Sequence, residues 1–337
     1  MTTKPMVSVN MVTYNHEKYI SQAIKGVLMQ KTNFAIQLVI GEDCSTDATR
    51  EICLRYKEKY PDIIKLVLQE KNVGSKQNAI DTLTACDGKY IASCDGDDYW
   101  TDKHKLQKQV DFLEANPDFN ICCHNAIHLN ESKKILITPK TLITTEFTQE
   151  DIANHNFILT LTVVYRAAAV CVDKLPQGFF NSKSSDFFIF MLVSQYGKIK
   201  YLPDIMAVYR RHDAGIWTGQ AKEIGFKDSI AAHKSFIQEK NTSYEVRENL
   251  KHNLVRIVLA LHSCQREQGD VIDADSSLSE ITTPDYIRIL GEELLLKEKQ
   301  YYKTKEYKIG KLVLAPYVRI RIFISKIMFF IHKLKYD

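Results

Sequence analysis

"MVSVNMVTYNHEKYISQAIKGVLMQ" (residues 6–30) changes its apolar period partway along, and that change decides the fold. Residues 6–14 read as a strand, whereas 17–30 read as a helix with Tyr19, Ile20, Ala23, Ile24, Val27 and Leu28 at helical spacing. The alternation continues outward with strand 36–43, helix 45–60, strand 63–69, helix 75–86, strand 89–94 and helix 103–115, the last closing at "NPD" (116–118). Ser45 or Thr46 is the expected N-cap of the second helix, with Asp47 in its first turn. Strand–helix repeats of this kind build an α/β fold around a mostly parallel sheet with flanking helices. Ligands in such sheets collect at the carboxyl ends of the strands. That edge carries Thr13-Tyr14-Asn15, Glu42-Asp43, Asn72-Val73-Gly74 and Asp95-Gly96-Asp97-Asp98.

Beyond about residue 120 the pattern changes. Strands are expected at 119–129, 133–138, 158–166, 198–203 and 205–212, with a helix at 186–197 and helices at 219–240, 244–267 and 283–304. A chain of 337 residues with 45% apolar and 26% charged residues has the size and composition of a folded enzyme. Its net charge of +4 is uneven, since nine lysines and arginines face only Glu306 and Asp337 from Lys303 onward. The tail carries about +7 and the rest about −3, which argues against nucleic acid as a partner. Eight cysteines without a CxxC pair read as buried reduced thiols, and the N-terminus lacks an apolar core of signal-peptide length. A cytoplasmic protein is expected.

The sequence "SCDGDDYWTD" (93–102) sets Asp95, Asp97 and Asp98 within four positions. Like charges so close need a cation, and a few hard oxygen ligands suit Mg2+ or Mn2+ shared with a phosphate. Gly96 permits a tight turn and close ligand approach. Helix capping explains Asp102 but not three acids upstream. "GDD" also occurs in RNA-dependent RNA polymerases, yet that class needs a second acidic motif and a more basic body.

Taken together, "VSVNMVTYNHEKYISQAIKGVLMQ", "IGEDCSTDATREI", "NVG", "CDGKYIASCDGDDYWTDKHKLQKQVDFLEANPDF" and "VYRRH" resemble the inverting nucleotide-sugar glycosyltransferases of family 2, over about residues 6–217. The resemblance implies a GT-A fold, Rossmann-like, with an Asp-x-Asp signature. It implies that Thr13, Tyr14, Asn15 and Glu17 contact or adjoin base and ribose, that Asp43 accepts from a uracil ring, and that Asp95 binds ribose beside Gly96. Asp97 would hold Mn2+ or Mg2+ on the diphosphate, and His212 would complete the metal shell. Many relatives have an Arg after the Asn-x-Gly turn; here Asn78 or Lys76 is the candidate substitute. Arg210 or Arg211, Arg211 being the preferred candidate, would face the diphosphate.

Transfer with inversion needs a base for the acceptor hydroxyl. Asp186 opens an apolar helix, where an acid is commonly only a dipole partner, but its place between the Asp-x-Asp and "VYRRH" resembles that of the family's base. Phe187 and Phe188 would raise its pKa. The expected organisation is a GT-A domain at 1–217, with a nucleotide half to about 130 and an acceptor half to 217. A helical region at 218–305 and a basic amphipathic tail at 306–337 follow. In the tail Ile320, Ile324, Ile327, Ile331 and Leu334 are spaced 4-3-4-3, and Arg319, Lys326 and Lys333 recur every seven residues. Arg319, Arg321 and Lys326 would each cost roughly 2.5–3.5 kcal/mol inside a membrane span, so a helix lying on the membrane surface is the expectation, with a helix packed in the core or at a dimer contact as the alternative. That suits a glycan or lipid-linked acceptor, as in bacterial surface-polysaccharide assembly, with a UDP-sugar as donor. The competing reading is a nucleotide-sugar-binding scaffold without catalysis.

Overall fold

A computed structural model describes residues 4–138, 141–172, 175–182, 184–212, 215, 222–267, 281, 284 and 286–293. The chain divides into two compact units, Met1–Ile281 and Thr282–Asp337. In the second, residues 284 and 286–293 are helical; the basic tail expected at 306–337 and the remainder of helix 283–304 lie outside the described residues.

The first half of the larger unit is the βα series read from the sequence. β1 (Val7–Thr13), α1 (Ile20–Leu28), β2 (Ile36–Glu42), α2 (Thr49–Lys59), β3 (Ile64–Leu68), α3 (Ser75–Thr84) and β4 (Tyr90–Ser93) follow one another. Then come β5 (Tyr99–Trp100), α4 (Lys105–Ala115), β6 (Phe119–Asn130), β7 (Ile135–Ile137), β8 (Glu146–Phe147), α5 (Gln149–Asn154) and β9 (Val164–Arg166). α6 (Gln177–Asn181), α7 (Ser185–Ser194), β10 (Lys198–Arg211), α8 (Lys222–Gln238) and α9 (Tyr244–Glu267) complete the series. The ten-stranded sheet runs β3-β2-β1-β4-β9-β6-β10-β5, with β7 on β6 and β8 on β10. Pairs β1–β2, β1–β4, β2–β3 and β6–β10 are parallel, and β9 is antiparallel to both neighbours.

Alternation along β4 sends its side chains to two cores. Tyr90 and Ala92 join Ile20, Ile24, Leu106 and Val110 on one face, while Ile91 joins Ile121, Phe187, Phe188 and Phe236 on the other. α7 is apolar on all sides and buries Phe187, Phe188, Ile189, Phe190, Met191 and Val193, as a helix in a core must. α8 and α9 supply Ala232, Phe236, Val246 and Leu250 to that same core. α8 and α9, beyond residue 217, thus pack on the sheet within the same compact unit.

Several expectations shift. α2 begins at Thr49 rather than near Ser45, because residues 45–48 bond to the loop after β1. Residues 198–212 were expected as two strands and form the single strand β10, whose register slips between Leu202 and Ala207. Pro203 lies at that slip, where it has no N–H for the ladder. Of the strand expected at 158–166 only Val164–Arg166 pairs, since Thr160–Thr162 forms a tight 3-10 turn. None of the described cysteines is in a disulfide, but only Cys53, Cys94, Cys122 and Cys123 are buried and Cys171 is exposed. Among the described residues no helix is long and apolar enough to cross a membrane.

Candidate active site

A cavity of about 650 Å³ opens at the carboxyl ends of β1, β2 and β4, within the size range of small-molecule sites. Its first wall is made by two loops that brace each other. Asn15, in the left-handed region at φ 54°, accepts the Thr46 N–H on Oδ1 at 2.8 Å, and its own N–H donates to Ser45 Oγ at 3.0 Å. Glu17 N–H donates to Asp47 Oδ2 and Ala48 N–H to Glu17 Oε2, at 3.0 and 3.1 Å. Asn15 and Glu17 are thereby engaged in the loop pairing and do not line the cavity, whereas Thr13, Tyr14 and His16 do.

Asp43, at the end of β2, accepts the N–H groups of Val73 and Gly74 at 2.7 and 3.0 Å, so it fixes the loop ahead of α3 while lining the cavity. Asn78 also lines it, but its amide donates to Gly41 O at 2.8 Å and ties α3 to β2. Lys76 donates to Phe180 O at 2.5 Å.

Gly96 carries the acidic loop across the end of β1, its N–H donating to Val12 O at 2.9 Å. A Cβ there would lie 2.6 Å from Thr13 Oγ1, which only glycine avoids. Asp98 accepts the Arg210 N–H at 2.7 Å, and Arg210 Nε donates to Asp97 O at 2.7 Å. The same guanidinium pairs with Glu131 and Gln22 and stacks over Tyr19 at 4.6 Å. Tyr209 and Arg210 line the cavity, whereas Arg211, the last residue of β10, is exposed and outside the lining.

His212 follows β10 and is buried, with Nε2 3.0 Å from Asp97 Oδ2. Burial alone would raise the Asp97 carboxyl, but the His212 hydrogen bond and the charges of His16 and His212 outweigh it and hold Asp97 below its ordinary range. Asp95 goes the other way: burial first, then the charges of Asp97 and Asp186, push it up to about 8. Burial and the Asp97 charge raise Asp98 well above its usual value.

The far wall comes from the 156–160 segment, α7 and α8. Asp186 stands in the first turn of α7, accepting Thr160 Oγ1–H at 2.9 Å and the Phe187 N–H at 2.8 Å. Burial raises its pKa despite those bonds. Ser229 and His233 of α8 line the same wall; the His233 ring lies parallel to Phe187 at 5.0 Å and burial lowers it to about 4.

The sequence reading placed Asp186 and Phe187 of this far wall, but assigned no role to His16, to residues 156–160 or to Ser229 and His233 of α8. The signal for His16 was its place directly behind Thr13-Tyr14-Asn15; α8 offered none, because only chain packing brings it there. The residues present suit a divalent ion: Asp97 and His212 offer oxygen and nitrogen donors, while Thr13 Oγ1 and His16 Nδ1 are buried without a hydrogen-bond partner among the described residues.

Residues 8–214 match the profile of the family described as "Glycosyl transferase family 2". Rv1520 of Mycobacterium tuberculosis, an uncharacterized protein, is 36% identical over 212 residues, which cover 63% of this chain and 60% of Rv1520. TuaG of Bacillus subtilis, whose name refers to teichuronic acid biosynthesis, is 33% identical over 164 residues, covering 48% of this chain and 62% of TuaG. The matches thus span about three fifths of the length of these curated relatives. Among solved structures, residues 1–349 of S. aureus TarS in complex with UDP-GlcNAc superpose with a TM-score of 0.61 at 20% identity, over 84% of this chain and 81% of that one. The mannosyltransferase PcManGT from Pyrobaculum calidifontis, in complex with GDP-Man and Mn2+, superposes with a TM-score of 0.57 at 14% identity, over 97% of this chain and 87% of that one. These likenesses establish the fold, and the profile match over more than half of the sequence establishes that the chain belongs to glycosyl transferase family 2.

Proposed function

We propose that the protein is an inverting, metal-dependent glycosyltransferase that moves a sugar from a nucleotide diphosphate donor, most simply a UDP-sugar, to a glycan or lipid-linked acceptor. The observation that carries this reading is the arrangement of carboxylates on two walls of one cavity: Asp95 and Asp97 on the β4 side, Asp186 on the α7 side. In the proposed reaction Asp186 takes the proton of the acceptor hydroxyl as its oxygen bonds to the anomeric carbon, and the bond from that carbon to the nucleoside diphosphate breaks on the opposite face. A carboxyl whose pKa is raised by burial is a stronger base than an exposed one, which favours Asp186 for this task. Asp97 and His212 would hold Mn2+ or Mg2+, which when bound neutralises charge gathering on the departing diphosphate.

Thr13, Tyr14 and Asp43 line the wall assigned to the nucleotide, with Asp95, also in the lining, assigned to the ribose; Gly96 acts by carrying the acidic loop close over Thr13. Asn15, Glu17 and Asn78 act one step back by holding the loops, and the exposed Arg211 would reach the diphosphate only by a change of position. Glycan assembly is supported by TuaG's name. That the protein works at the cytoplasmic membrane surface, held there by the 306–337 tail, is proposed on the pattern of that tail. Screening UDP-sugars for Mn2+-stimulated hydrolysis tests the reading, and Asp186→Asn is expected to lower transfer by about 10²–10⁴-fold while sparing UDP binding. Unchanged turnover in that variant removes Asp186 as base; turnover with only GDP- or dTDP-sugars removes the uracil role of Asp43. An inactive scaffold would bind UDP and show no turnover with any donor.

A further inference from the structure

We propose that His16 is a third protein ligand of the metal ion, so that the site is built from two imidazoles and one carboxylate and selects Mn2+ or similar transition ions over Mg2+. The inference rests on the metal-dependent reading above. His16 Nε2 lies 3.9 Å and His212 Nε2 3.0 Å from the same Asp97 Oδ2. One donor atom from each of the three residues falls within 4.8 Å of the others. Two donors each about 2.1 Å from one ion stand roughly 3–4 Å apart, so a small inward movement would place all three around a single ion.

Three further features point the same way. The His16 ring is largely buried, with Nε2 the nitrogen nearer Asp97 and Nδ1 turned toward Gly96, so the ring offers the cluster one nitrogen in a fixed direction. His16 is also fixed in place: its N–H donates to Thr49 Oγ1 at 2.8 Å, its carbonyl accepts the Tyr19 and Ile20 N–H groups, and its ring meets that of His212 edge-on at 6.1 Å. Thr49 opens α2, so the brace comes from a different element than the ligand. Asp95 and Asp98 also bring carboxylate oxygens near Asp97, but Asp98 already accepts the Arg210 N–H and Asp95 is assigned to the ribose in the reading above. A donor set of two nitrogens and one oxygen is poor for Mg2+, which prefers an all-oxygen octahedron and gives up water reluctantly.

The test is Mn2+ binding to the full chain, with and without UDP, followed by loss of the free-ion electron paramagnetic resonance signal, with ¹⁴N modulation used to count bound imidazoles. The wild type is expected to show two imidazole nitrogens, and His16→Gln and His16→Asn one. Both variants should bind Mn2+ about tenfold or more weakly and Mg2+ with little change. Circular dichroism confirms folding, and the two polar replacements guard against one failing to fold. Wild-type Mn2+ affinity and nitrogen count in both variants, with binding lost in Asp97→Asn and His212→Ala, overturns the role of His16 and leaves the metal site standing. Unaltered Mn2+ binding in Asp97→Asn and His212→Ala as well overturns the metal reading itself.

Discussion

A methyl group added at Gly96 would press on the Thr13 hydroxyl and on His16 Nδ1, at 2.6 and 3.0 Å. Gly96→Ala is therefore expected to cost about 1–3 kcal/mol of stability, measured by denaturant midpoint, and to weaken UDP binding, because the turn must lift off the end of β1. Asp186 gives a second prediction at this scale. The base must be ionised to act, and burial raises its pKa, so kcat/KM should rise with pH through a midpoint above the ordinary carboxylate value near 3.9. A pH–rate profile whose acid limb sits at or below that value would contradict the assignment. The acids were legible in the sequence because three in four positions demand a partner. Their separate environments were not: Asp97 is held ionised by His212 and Asp98 is spent on a backbone N–H, and both partners lie more than a hundred residues away.

Elements decide which side chain reaches the cavity. β10 presents Arg210 inward, where it grips Asp97 O, Glu131 and Gln22 and lies over Tyr19 and Tyr99. Lysine has one point charge and no planar fork, so Arg210→Lys is expected to destabilise the protein by about 1–3 kcal/mol and to reduce Mn2+ affinity by loosening the acidic loop; thermal melts and metal titration read the two effects. Arg211→Ala should leave the melt nearly unchanged, since that side chain is exposed. The βα elements of the first 115 residues were legible because their apolar period is regular. β5 was missed, being two residues long, and it matters: Trp100 donates to Leu161 O at 2.8 Å, anchoring the turn that carries Thr160 to Asp186. The β10 slip and the shortened β9 were illegible too, because pairing with neighbouring strands sets them.

Across the whole molecule the least expected feature is Lys105, fully buried with Nζ 2.8 Å from Gln109 Oε1 and 4.1 Å from the centre of the Trp100 ring. Burial pulls its pKa from 10.5 down to about 7. Between those values the unfolded chain holds one more proton than the folded one, so this residue's contribution to stability rises with pH from about 7 toward 10. Lys105→Met removes that term while its lost hydrogen bond shifts the curve without tilting it. The difference in unfolding free energy between variant and wild type should therefore change in the variant's disfavour by a few kcal/mol, on the order of the shift, between pH 7 and 10; a constant difference refutes a neutral buried lysine. The sequence by itself determined the βα series, the strand ends where ligands gather and the acidic loop, because period and local charge are properties of neighbouring residues. Only the tertiary structure decided that His16 and His212 flank one carboxylate, that Arg210 rather than Arg211 faces inward, and that α7 and α8 close the cavity opposite Asp95. Those pairings join residues far apart in the chain, and what fixes them is the burial of two sheet faces, which no local pattern encodes.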